Sequence, residues 1–175
     1  MERGRQFDQQ LDHLLRSPDE FAGGSLLLLA WRDFKAYNDE HGYAAGDALL
    51  RRTAEVLGAT CGPVARLLCR LGGADFAVLV NETGRPAVTE LAQRILHGLR
   101  PATEHGAAPG RHLADIGLTL CHPGEPAGII LGRADQALRA AQQGGADAFA
   151  WAHEAAPMAP QGSAGARAWR RRLQR

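Results

Sequence analysis

The chain has 175 residues, 45% of them hydrophobic, which suits one domain with a buried core and excludes a wholly disordered protein. It has no apolar run of about 18 residues, and its N-terminal segment MERGRQFDQQLDHLL has no secretion-signal core, so the expected location is cytoplasmic. On that reading any membrane attachment lies in other parts of a longer protein. The formal charge of +1 hides an asymmetry: residues 166–175 hold five arginines and no acid, leaving 15 basic against 19 acidic residues elsewhere. A net-acidic globular part has no electrostatic footprint for nucleic acid. Three cysteines, Cys61, Cys69 and Cys121, show no CxxC spacing and read as reduced, packed thiols, with Cys69 in the core. The seven histidines show no metal-ligand spacing, so no metal or other cofactor is expected.

In chain order, Phe7, Leu11, Leu14 and Leu15 recur at helical spacing and predict an amphipathic first helix. SLLLLAW is a continuous apolar run of strand length, the pattern of a central strand buried on both faces. RDFKAYNDEHGYAAGD reads as a short helix closing near a glycine, and Asp47 as the residue opening the amphipathic stretch ALLRRTAEVLGATC. PVARLLCRLGGADFAVLV predicts a β-hairpin turning at Gly72-Gly73. A helix over RPAVTELAQRILHGLR follows, with proline in its first turn. Next come a loop at EHGAAPG, a strand in RHLADIGLTLCH, a helix in EPAGIILGRADQALRAAQQGG stopped by glycine, and a last strand in ADAFAWA. The order predicts an α/β fold of the α+β sandwich kind. Its ferredoxin-like βαββαβ core has a mainly antiparallel central sheet, with the helices expected on one face. Residues 155–165, rich in alanine, proline and glycine, read as a linker after a domain at 1–154, and 166–175 as the start of a further helix.

Three segments together carry a resemblance: DFKAYNDEHGYAAGDALLRRTAEVL after the buried strand, RLGGADF about two dozen residues on, and RADQALRAAQQGG near the end. The chain resembles the GGDEF family, bacterial diguanylate cyclases that join two GTP molecules into cyclic di-GMP. The likeness covers residues 5–152 and implies the nucleotidyl-cyclase type of ferredoxin-like core.

The resemblance also implies where chemistry is expected. Family members hold divalent metal on the triphosphate with acids from a D-x-D-x-F-K segment and from the signature turn. Here the first two acids are Ala30 and Arg32, and the turn Gly72-Gly73-Ala74-Asp75-Phe76 puts Ala74 at the first acid and the shorter Asp75 at the second. The phosphate-clamp lysine and arginine of the family correspond to Gln142 and Ala146. The inhibitory R-x-x-D site reads Pro63-Val64-Ala65-Arg66, so product feedback is not expected there. The guanine-reading positions are partly kept: Asn38 and Asp47 match the asparagine and aspartate, Phe34 matches the apolar wall, and Tyr43 replaces a histidine. Asn38 and Asp47 also have a structural reading, as residues favoured at helix ends.

These losses imply a domain that is no longer an enzyme and works as a regulatory module in cyclic di-GMP signalling. GARAWRRRLQR resembles the start of an EAL phosphodiesterase domain, which implies an adjacent EAL partner in a dual-domain protein such as a LapD-type receptor. The alternative is an allosteric sensor that binds GTP and activates an attached phosphodiesterase. A second copy of the chain is a further candidate partner.

Overall fold

A computed structural model of the chain describes residues 2–100, 114–144 and 149–153. The elements are α1 (Glu2–Leu15), β1 (Gly24–Trp31), α2 (Phe34–His41), α3 (Tyr43–Cys61), β2 (Ala65–Gly72), β3 (Asp75–Val80), α4 (Arg85–Leu99), β4 (Ala114–Cys121), α5 (Ala127–Gln143) and β5 (Phe149–Trp151). The five strands form one sheet in the order β2-β3-β1-β4-β5. β1 lies antiparallel between β3 and β4, β2 is antiparallel to β3, and the short β5 is parallel to β4. The mainly antiparallel α/β sandwich expected from the sequence is therefore present.

The continuous apolar run makes β1 the centre, because each of its eight residues is buried. Alternating side chains feed two separate cores. Leu27, Leu29 and Trp31 face α3 and α4, while Leu26, Leu28 and Ala30 face α1 and α5. Each leucine so buried contributes roughly 1.5–3 kcal/mol. This arrangement corrects the expectation of helices on one face. The N-terminal helix, with Phe7, Leu11 and Leu15 fully buried, covers the second face together with α5.

One boundary also differs from the sequence reading. α3 begins at Tyr43, so Asp47 is an exposed residue inside the helix and not its opening residue. The reason is Gly42, whose N–H donates to Asn38 O to end α2 and which immediately precedes α3, leaving no loop between the two. Cys61 and Cys121 are buried, whereas Cys69 lies on the edge strand β2 and is half-buried. No described helix is long and apolar enough to cross a membrane. The expected domain end at 154, the linker and the arginine-rich segment lie outside the described residues.

Candidate nucleotide site at the strand ends

The hairpin turn and the end of β1 meet because β1 and β3 run antiparallel with Ala30 opposite Asp75. The Trp31 N–H donates to Ala74 O at 3.4 Å, tying the two segments together. Gly73 has φ +52° and an added Cβ would meet nothing within 4 Å, so the turn presents bare backbone to its surroundings. Arg70 clasps this turn, its Nε and Nη2 donating to Gly73 O at 2.9 and 2.7 Å. Ala74 is buried against the α3/α4 core, which accounts for an apolar residue there. Asp75 is half-buried and Phe76 is buried.

Ala30 has Asp75 on one side and Asp115 of β4 on the other, so the three share a sheet face. Asp115 is fully buried and receives Arg32 through two hydrogen bonds, Nε to Oδ2 at 2.5 Å and Nη2 to Oδ1 at 2.6 Å. Arg32 Nη2 also donates to Ala141 O of α5 at 3.2 Å. The guanidinium is held further above its ordinary range, first by the Asp115 hydrogen bond and also by the charges of Asp115 and Asp33, with burial opposing. A divalent metal does not fit this arrangement. Ala30 and Ala74 offer no ligand atoms, Asp115 is committed to Arg32, and no group of three His, Cys, Asp or Glu that could hold a metal occurs among the described residues.

The second half of the site lies between α2 and α3. Asn38 Oδ1 is buried with no hydrogen-bond partner among the described residues, an arrangement that proteins rarely leave unsatisfied. It sits against Gly46, where an added Cβ would collide with the Asn38 amide and come within 3.2 Å of the Phe34 ring. Phe34 stacks on Tyr37 with ring centroids 6.5 Å apart, and Tyr37 on His41 at 4.5 Å. The structure therefore gathers Phe34, Asn38 and Gly46 into one cradle, with Asp47 on the next residue of the same helix. Tyr43, the residue in place of histidine, is 78% exposed.

The remaining sequence candidates lie elsewhere. Gln142 is half-buried in the last turn of α5, next to the Ala141 carbonyl that Arg32 reaches. Ala146 lies outside the described residues. Pro63 is exposed before β2, and the exposed Arg66 lines a groove of about 470 Å³ between α1 and β2 with Gln6, Gln9, Gln10, His13, Leu14 and Leu67. That groove is at the far end of the sheet, since Ala65 pairs with Val80, which pairs with Ser25 at the start of β1. Sequence reasoning missed Asp115, Arg70 and Gly46. Asp115 carried a signal, an acid inside an apolar strand that demands a counter-ion, but which cation answers it depends on the sheet register.

The sequence matches the family described as diguanylate cyclase, GGDEF domain, over residues 3–148. It is 31% identical over 140 residues to the cyclic di-GMP phosphodiesterase PdeR of Escherichia coli, covering 79% of this chain and 21% of that protein. It is 28% identical over 142 residues to the E. coli diguanylate cyclase DgcZ, covering 81% of this chain and 47% of that one. The chain thus spans about a fifth to a half of the length of these relatives. The fold matches the coiled-coil and GGDEF domain structure of DgcB from Caulobacter crescentus in complex with c-di-GMP, with TM-score 0.72 and 25% identity over 85% of this chain and 80% of that one. An EAL/GGDEF domain protein from M. capsulatus matches with TM-score 0.64 and 28% identity, over 85% of this chain and 97% of that chain.

The expectation that the chain is not an enzyme is overturned by these comparisons. It rested on side chains lost at single positions, whereas the relatives matching most of the chain include named cyclases from several bacteria, which point to an enzyme. With the sequence match running through nearly all the described elements and the fold agreeing, the chain belongs to the GGDEF family of cyclic di-GMP signalling domains.

Proposed function

We propose that this chain is the GTP-binding GGDEF domain of a longer cyclic di-GMP signalling protein, and that its nucleotide state adjusts a neighbouring EAL domain. The observation that carries the nucleotide reading is the orphaned Asn38 Oδ1 in the cradle formed with Phe34 and Gly46. A buried amide oxygen without a partner costs about 1–3 kcal/mol, and a guanine edge donating to it recovers that cost. Asp47, exposed on α3, supplies a carboxylate for further N–H donors of the base. The EAL neighbour is supported by the phosphodiesterase name of one relative, by the EAL/GGDEF title of one matching structure, and by the short share of its relatives that the chain spans. The test is a calorimetric comparison of GTP and ATP. Saturable binding of GTP over ATP, lost in Asn38→Ala, supports the reading; equal affinity for both nucleotides, or an unaffected variant, refutes it.

A second reading follows from the cyclase names of the relatives: the domain joins GTP into cyclic di-GMP with Asp75 as the acid of the turn. Product formed from GTP at a rate that falls in Asp75→Ala supports it. Product formation unchanged in that variant, or none at all, refutes it.

A further inference from the structure

The GGDEF family implies a divalent metal at the strand ends, and the residues there do not fit one. The same place holds a cation belonging to the chain. Three observations converge on the Arg32 guanidinium. Arg32 directly follows β1, two residues after Ala30, which pairs with Asp75 on β3 and Asp115 on β4. It is fixed from two elements at once, by both carboxylate oxygens of the fully buried Asp115 and by Ala141 O near the end of α5. About a third of its side chain remains exposed, and Nη1 takes no part in those bonds. The bare Gly73 turn begins one hydrogen bond away, through Trp31 and Ala74.

We propose that Arg32 is the resident cation of this site, and that the phosphates of a bound guanine nucleotide are held by its guanidinium without magnesium. This rests on the nucleotide reading above and assigns the phosphate end of the same ligand. The pair with Asp115 is what makes the arrangement specific. An unanchored arginine loses side-chain entropy on binding an anion, whereas this one is already held. The carboxylate uses Nε and Nη2, and the remaining edge of the planar fork is suited to a phosphate oxygen. Gln142, at the position of the family's clamp lysine, follows Ala141 directly, so the guanidinium reaches the end of α5 where the family resemblance places one positive group.

The experiment titrates GTP and guanosine into the whole chain, each with magnesium and with a chelator. It does so for the native protein and for R32A/D115S, which removes both partners and so leaves no buried charge unpaired. Native GTP affinity is expected to agree within about twofold between magnesium and chelator. R32A/D115S is expected to lose GTP affinity by about tenfold or more while binding guanosine as the native chain does, since guanosine has no phosphate. GTP binding that tightens tenfold with magnesium, or a double variant that binds GTP normally, overturns the assignment of Arg32 and leaves the guanine cradle standing. Failure of the native chain to bind either ligand overturns the nucleotide reading and this inference together. Retained guanosine binding also shows that the double variant is folded.

Discussion

Replacing Arg32 by alanine strips the guanidinium that bonds both oxygens of a fully buried carboxylate. Asp115 accepts a hydrogen bond on each carboxylate oxygen from that guanidinium, so its loss leaves a buried carboxylate without this partner. Breaking a buried pair in this way costs about 3–5 kcal/mol, a large share of the roughly 5–15 kcal/mol that stabilises an ordinary domain. For a chain of this size each kcal/mol lowers Tm by about 2–4 °C, which places the R32A melting point about 6–20 °C below native. Asp115→Ser alone is milder, because it orphans an arginine that is already one-third exposed and can be hydrated. R32A/D115S is expected to recover part of the R32A loss, since no charge is left buried without a partner. Urea denaturation of the four proteins at neutral pH measures all three differences. R32A within about 1 kcal/mol of native, or a double variant no better than the sum of the single losses, refutes the claim that Asp115 depends on Arg32.

Other parts of the structure give further expected outcomes. Gly46→Ala inserts a methyl group where the Asn38 amide sits, so GTP affinity falls by about tenfold. The gain of about 1 kcal/mol in helix propensity keeps overall stability close to native, as thermal melting checks. Burial pushes the Cys61 and Cys121 thiols up to about 11 and about 12, so at mildly alkaline pH a thiol reagent labels only the half-buried Cys69 until the chain is unfolded. Burial raises the Glu125 pKa, but hydrogen bonds from Arg133 and the His122 N–H outweigh it and hold the carboxyl below its ordinary value. Its stabilising contribution is present above the unfolded pKa of about 4.3 and is lost as pH falls through the folded value. Glu125→Gln is therefore less stable than native at neutral pH, with the gap closing in acid; a gap that widens in acid contradicts the sign.

Much of the fold was legible because its signals are local. SLLLLAW, with no polar interruption, announced a strand covered on both faces, and the glycine pair between two apolar runs announced the hairpin. The division of helices between two faces was not legible. The side-chain alternation of β1 into two cores shows only when α1 and α5 are known to share one face and α3 and α4 the other. Asp47 was misplaced at a helix start because Gly42 joins two helices directly, and a glycine reads equally as the end of one helix or the gap between two. At the proposed site, the resemblance suggested Phe34, Asn38 and Asp47, yet the close fit of Gly46 against Asn38 is a packing relation across a helix pair. Asp115 was missed for a similar reason. Arg32 and Asp115 are 83 residues apart, and only the β1–β4 register makes them neighbours. The non-enzyme expectation rested on side-chain losses alone, against which stand the cyclase names of relatives matching most of the chain.

On the proposed reading a guanine nucleotide occupies the α2–α3 cradle and reaches the strand ends. Backbone amide NMR of the labelled chain during GTP addition tests presence and place together. The account predicts saturable shifts at Phe34, Asn38, Gly46 and Gly73, with the α1–β2 groove around Gln9 and Leu67 unmoved. Shifts confined to that groove, or none at saturating GTP, contradict it.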